Sequence, residues 1–368
     1  MNAQPSALSS ANRGRHHRVP LPRPFAFHAG GELAAGELAV ETWGELSPAR
    51  DNAVLVFTGL STSAHAASTA SDPSKGWWEY LIGPGLALDT DRLFIITANS
   101  LGSCFGSSGP GDIDPRTGEP YGYGWPELRV EDIARAGQLA AEHFGIDVLY
   151  GAIGASLGGM TVLAHAALFP GKARRVASLS GTLVPSAFAI ATRALQREIV
   201  GTALAGGPVD LKLAFRFARK VGMLSYIGAA LLENRFAHAP GQQPTGASGT
   251  HFEVESWLEH QAEKFASRFN AWSYWYLSRA MDLFDFSKVL PGASAPVLSI
   301  ERALVVGVHE DQLFPLAQQA AIADLLKAQG IPTRYVDLSS PYGHDAFLVE
   351  DALFSPLVAD FFAASPRT

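Results

Sequence analysis

Residues 148–160 read Val148-Leu149-Tyr150-Gly151-Ala152-Ile153-Gly154-Ala155-Ser156-Leu157-Gly158-Gly159-Met160. The apolar run 148–153 suits a buried strand, and a G-x-S-x-G turn follows it. A helical run from Met160 to Leu168 comes next, closed by Pro170. A serine on a sharp strand-to-helix turn has its hydroxyl lifted above the sheet, with the helix N-terminus behind it to favour developing negative charge. Glycines are required because the turn is too tight for side chains against neighbouring backbone. With 36 glycines in the chain the five-residue pattern alone is weak. Its strand and helix flanks turn it into a prediction of a nucleophile elbow.

Working outward, apolar runs recur at residues 38–42, 53–57, 93–97, 175–179, 303–308 and 333–338. Several are apolar almost throughout, as strands buried on both faces of a mainly parallel sheet should be. Helical patterns separate them. Val130, Ile133, Gly137, Ala140 and Phe144 share one helix face, and residues 316–329 form another helix ended by Gly330 and Pro332. The alternation predicts an α/β fold with a doubly wound sheet and right-handed crossovers. It stops after Gly181 and resumes near Pro296. The intervening residues 182–295 are helical in pattern, with Gly/Pro/Ser-rich gaps at 205–208 and 239–249, and are too long for a loop. They read as a helical lid inserted into a catalytic domain of residues 25–181 and 296–368. Residues 1–24, rich in Ser, Ala, Arg, His and Pro, read as a disordered lead-in.

A serine nucleophile needs a base held by an acid, and both should lie on loops after later strands. Asp311 follows the 303–308 strand in His309-Glu310-Asp311-Gln312-Leu313-Phe314-Pro315, and Glu310 beside it could serve instead. His344 follows the 333–338 strand in Ser340-Pro341-Tyr342-Gly343-His344-Asp345. None of the other ten histidines stands in that position. An oxyanion hole needs two backbone N–H donors. We expect Leu157, after the nucleophile, and Leu60, in Thr58-Gly59-Leu60-Ser61-Thr62, where Gly59 lets the chain bend.

Composition removes several other classes. A net charge of −7 with no basic stripe argues against nucleic acid. A single cysteine, Cys104, excludes an intrachain disulfide and a cysteine-based zinc site. No run approaches the roughly 20 apolar residues of a membrane span, and the N-terminus lacks the apolar core of a signal peptide. The expectation is a cytoplasmic protein with 47% hydrophobic and 17% charged residues, an ordinary core composition.

From about Phe25 to the last strand, the chain resembles the homoserine/serine O-acyltransferases of the α/β-hydrolase fold. The likeness rests on Thr58-Gly59-Leu60-Ser61-Thr62, Gly76-Trp77-Trp78-Glu79, Ile82-Gly83-Pro84-Gly85, Asn99-Ser100-Leu101-Gly102-Ser103-Cys104 and Gly106-Ser107-Ser108-Gly109-Pro110. Thr117-Gly118-Glu119-Pro120-Tyr121-Gly122, Leu313-Phe314-Pro315 and Ser340-Pro341-Tyr342-Gly343-His344-Asp345 extend it. The resemblance implies a triad of Ser156, Asp311 and His344, oxyanion amides at Leu60 and Leu157, and an acyl-CoA co-substrate with no bound cofactor or metal. It implies that Arg219, with Tyr226 beyond it, holds the amino-acid carboxylate and that Asp345 holds the ammonium. It also implies a homodimer. Set against these, Arg219 could be a solvent-facing arginine beside Arg216 and Lys220, and Asp345 could cap a helix.

The stretch from Ser180-Gly181-Thr182 to Ala194-Leu195-Gln196-Arg197-Glu198 resembles the serine-acylating branch more than the homoserine-acetylating one. Arg193 stands where the latter usually carries a neutral Asn, and a cation there could pair with a succinyl carboxylate. Alternatively it packs against the lid or pairs with Glu198. Gly201-Thr202-Ala203-Leu204-Ala205-Gly206-Gly207-Pro208 is shorter than the corresponding family segment. The expectation is serine O-succinylation, with homoserine O-acetylation and a serine esterase or thioesterase as alternatives. A non-catalytic binding protein is disfavoured because no triad member is lost.

Overall fold

The computed structural model describes residues 14–242, 251–289 and 297–363. Among them, eight strands form the main sheet: β1 (Arg15–Pro20), β2 (Glu37–Trp43), β3 (Ala53–Phe57), β4 (Phe94–Ala98), β5 (Gly151–Ala155), β6 (Arg175–Leu179), β7 (Arg302–Val308) and β8 (Thr333–Leu338). Their spatial order is β1-β2-β4-β3-β5-β6-β7-β8. The six from β4 to β8 in that order run parallel, while β2 is antiparallel to β4 and β1 antiparallel to β2.

The period-2 alternation of each strand sends its residues into two separate cores. Ala53, Leu55 and Phe57 of β3 enter one, while Val54 and Val56 enter the other. The first core is covered by α1 (Val130–His143), α2 (Leu157–Leu168) and α8 (Leu316–Ala328). The second is covered by Trp78, Phe347 and the Phe354, Val358, Phe361 and Phe362 side chains of α10 (Asp351–Phe362). Both faces are therefore dry, which is why most of these strands are apolar throughout.

Between β6 and β7 lie α3 (Ala187–Leu204), α4 (Leu211–Tyr226), α5 (Ala229–Phe236), α6 (Glu253–Ala266) and α7 (Ala271–Leu283). Val200, Phe215, Phe265, Leu277 and Met281 from these helices join the first core, so sheet and helices share one continuous apolar interior. The gap at 205–208 is the turn between α3 and α4, where the Asp210 side chain caps α4 by accepting from Leu213 N. Most of the gap at 239–249, and the return point near Pro296, lie outside the described residues.

Two expectations need correction. Residues 15–20 are not a disordered lead-in but β1, in register with β2 from Arg15↔Thr42 to Pro20↔Glu37. Their polarity reflects an edge strand: Val19 turns into the core while Arg15, His16 and Arg18 face outward. Residues 1–13 lie outside the described part. The strand before Ser156 also begins at Gly151 rather than Val148, because the paired ladder with β3 starts at Val54↔Gly151. No helix among the described residues is long and apolar enough to cross a membrane.

Candidate active site

Ser156 joins β5 to α2 at φ 57°, ψ −121°, a left-handed conformation that a side chain ordinarily avoids. The turn is locked from both sides. A Cβ on Gly154 would lie 2.3 Å from the Gly158 carbonyl oxygen, and one on Gly158 would lie 2.2 Å from that of Phe57. The Ser156 amide donates to the Leu179 carbonyl at 2.9 Å, tying the turn to β6. The glycines at 154 and 158 are thus demanded by backbone approach. Gly59 is not: a Cβ there would meet only ordinary contacts at 3.6 and 3.8 Å. Nor does Gly59 adopt a left-handed φ, so the expected bend does not depend on a glycine there; Gly59 lines the cavity beside Leu60.

His344 Nε2 stands 2.8 Å from Ser156 Oγ, and Nδ1 stands 2.7 Å from Asp311 Oδ2. A carboxylate only accepts, so Nδ1–H donates to Asp311 and Nε2 is left to accept from the serine hydroxyl. The other carboxylate oxygen of Asp311 accepts from the amides of Leu313 and Phe314 at 2.9 and 2.8 Å, which aims it. All three residues are buried. Glu310, the competitor for the acid's place, is engaged elsewhere, accepting from Ser339 Oγ and the Ser340 amide. Burial acts upward on its carboxyl but is outweighed by those bonds, so Glu310 titrates below the usual range. Leu157 is the first residue of α2, where an amide has no acceptor within its own helix, and Leu60 lines the cavity over Ser156.

The helices between β6 and β7 supply the rest of the wall. Arg219 and Tyr226 of α4, Arg193 and Gln196 of α3, and Met281 of α7 line the same cavity as Ser156, His344 and Asp345. The Arg219 guanidinium lies 4.4 Å from the Phe265 ring centroid and 5.0 Å from that of Tyr226, and its Nε is buried without a hydrogen-bond partner. Arg216 and Lys220 turn away from the cavity and pair with Glu259 on α6. Arg219 is therefore not one of a solvent-facing trio. Asp345 occupies the cap position of α9 (Ala346–Val349) yet makes no side-chain cap bond. Burial pushes its carboxyl above the ordinary aspartate value, with Arg219 and His344 opposing.

Arg193 was expected either to meet an acyl carboxylate or to pack on the lid or pair with Glu198. It packs within the lid, and its partner is not Glu198 but Asp282 of α7, Nε to Oδ1 at 2.6 Å, with its side chain 4% exposed. Its two terminal nitrogens are buried without partners. Asp282 was not foreseen. The available signal was Arg193 and Arg197 four residues apart on one helix face, which calls for an acid from another element; Asp282 is the only acidic residue in α7. Trp78 is fully buried and the Trp77 ring lies 4.6 Å from it at a 36° tilt, so this pair packs the second core. Among the described residues no group of three or more His, Cys, Asp and Glu side chains is placed to hold a metal ion.

Comparison with known proteins gives three concordant results. Residues 52–351 match the family model described as the alpha/beta hydrolase fold. The chain is 47% identical to a serine O-succinyltransferase from Litchfieldella anticariensis, over 94% of this chain and 98% of the relative. It is 46% identical to an L-serine/homoserine O-acetyltransferase from Streptomyces lavendulae, over 94% and 96%. Among solved structures, a homoserine O-acetyltransferase from Bacillus anthracis superposes with a TM-score of 0.87 at 23% identity, over 96% of this chain and 98% of that one, a likeness of fold.

Proposed function

The chain belongs to the homoserine/serine O-acyltransferases of the α/β-hydrolase fold, and from that membership we propose that it transfers a succinyl group from succinyl-CoA to the hydroxyl of L-serine. The observation that carries the donor assignment is Arg193. Arg193 lines the serine's cavity and carries two buried guanidinium nitrogens without partners, a pair that suits a terminal carboxylate, with which guanidinium forms paired hydrogen bonds. An acetyl group offers them nothing. Relatives named as serine O-succinyltransferases at 47% and 43% identity support the same reading.

The mechanism is a two-step exchange through an acyl-serine. His344 takes the Ser156 proton as Oγ attacks the thioester carbonyl. The resulting oxyanion accepts hydrogen bonds from the Leu60 and Leu157 amides, with the α2 N-terminus behind it. The intermediate collapses, the C–S bond breaks, and CoA leaves with the proton from His344. The amino acid then enters with its carboxylate on Arg219, beside Tyr226, and its ammonium at Asp345. His344 removes the acceptor hydroxyl proton, the new ester forms, and Ser156 regains its hydrogen. No bound cofactor enters the scheme. The helices over the cavity keep water from the acyl-enzyme, which separates transfer from hydrolysis. A cytoplasmic location and a homodimer built on α3 and α4 complete the proposal.

A second reading, acetyl transfer to serine or homoserine, is favoured by the Streptomyces lavendulae relative at 46% identity. The test is to incubate the purified protein with succinyl-CoA or acetyl-CoA, each with L-serine or L-homoserine, following free thiol and O-acyl product. Ser156→Ala is the blank. The expected result is O-succinylserine from the succinyl-CoA and L-serine pair. O-acetyl product alone would replace it with the second reading. Thiol release independent of the amino acid, with no ester product, would mean a hydrolase.

A further inference from the structure

Arg193 does not stand alone. The carboxylate of Asp282 is shared: Oδ1 accepts from Arg193 Nε at 2.6 Å and Oδ2 accepts from Arg197 at 2.5 Å. The three side chains are 4%, 8% and 2% exposed for Arg193, Arg197 and Asp282 respectively. Arg197 is held further by Ser278 Oγ of α7 at 3.3 Å. Two guanidiniums against one carboxylate leave one formal positive charge in a dry niche that opens on the reactive serine. Such an excess is costly unless an anion arrives to offset it.

The geometry also orients that charge. A guanidinium is planar, so fixing its Nε edge on Asp282 fixes where the opposite fork of terminal nitrogens points. That fork is the part of Arg193 left without a partner, on a residue that lines the cavity.

We propose that Asp282 is a positioning residue for donor choice: by dividing its carboxylate between Arg193 and Arg197, it aims the free fork of Arg193 and leaves the cluster with one positive charge in excess, selecting an acyl donor that ends in a carboxylate. This rests on the reading of Arg193 as the contact for that terminal carboxylate. Donor selectivity then belongs to a three-residue unit spanning α3 and α7, of which only Arg193 touches the donor.

The experiment measures kcat and KM for succinyl-CoA and for acetyl-CoA with one acceptor, in the wild type, Arg193→Leu, Asp282→Asn and Arg197→Met. Thermal melts report folding. Asp282→Asn leaves two buried guanidiniums without a carboxylate and can fail to fold, so Arg197→Met is the companion. It leaves a one-to-one Arg193–Asp282 pair, neutral and well accommodated, with Oδ2 released from Arg197 and free to draw Arg193 in. Losing the excess charge should lower the succinyl-to-acetyl ratio of kcat/KM about tenfold, through a raised KM for succinyl-CoA, in a variant that melts no lower than wild type. Asp282→Asn, where folded, should lower the ratio similarly. If Arg193→Leu lowers the ratio while Arg197→Met leaves it at the wild-type value, Asp282 is only structural and the proposal falls. If Arg193→Leu itself leaves the ratio intact, the reading of Arg193 fails and takes the proposal with it.

Discussion

Ser156 holds φ 57° and ψ −121° because β5 ends and α2 begins within one residue, with Gly158 pressed against the Phe57 carbonyl. A side chain in that region costs about 1–3 kcal/mol, which the surrounding packing must sustain. Comparing two inactive variants isolates that cost. Ser156→Gly relieves the strain and Ser156→Ala keeps it, although both lose the hydroxyl and its bond to His344. The glycine variant should be more stable than the alanine one by about 1 kcal/mol or more, the reverse of their order at a helix or strand interior. A glycine variant less stable than the alanine one, their ordinary order, would show the elbow to be unstrained.

At the scale of elements, the join between α1 and α2 carries a buried histidine that the reaction does not use. His165 lies in α2, fully enclosed, between the rings of Phe57 and Phe169. Its Nε2–H donates to Gln138 Oε1 of α1 at 2.9 Å. Burial lowers its pKa from 6.5 to about 4. Above pH 6.5 the ring is neutral in both folded and unfolded chains, and its contribution is fully present. As pH falls from 6.5 towards 4, the unfolded chain takes up a proton that the folded one refuses, so stability is lost. The loss from this group approaches about 3 kcal/mol by pH 4. His165→Phe abolishes the titration, so its unfolding free energy should vary less with pH across that window than that of the wild type. Parallel curves would mean that His165 protonates as readily folded as unfolded.

For the molecule as a whole, α3 and α4 expose Phe188, Leu195, Phe217 and Leu224 at 51, 49, 44 and 53%. α3 and α4 pack on each other, and a contiguous apolar patch on such a pair marks an interaction surface. The proposed homodimer would cover them. Sedimentation velocity at micromolar concentration should give twice the chain mass, and Phe217→Asp with Leu224→Asp should shift it to the monomer. A wild-type monomer at every concentration would sink the assignment.

Local chemistry made the elbow, the doubly wound sheet and the order serine, acid, histidine, with Ser156 and His344 at its ends, readable from the chain. Each follows from glycine spacing, strand periodicity or position just after a strand, and these are properties of neighbouring residues. The edge strand β1 was not readable, since an edge strand carrying Arg and His on its open side looks like a polar terminus. The choice of Asp311 over Glu310 required the fold, because adjacent carboxylates differ only in what later loops bring to them. So did Asp282, whose role exists only where α7 packs on α3, 85 and 89 residues away from Arg197 and Arg193 in sequence. The sequence determined which chemistry the chain could perform. The tertiary structure alone decided which buried charges share a partner, because that depends on how distant helices pack.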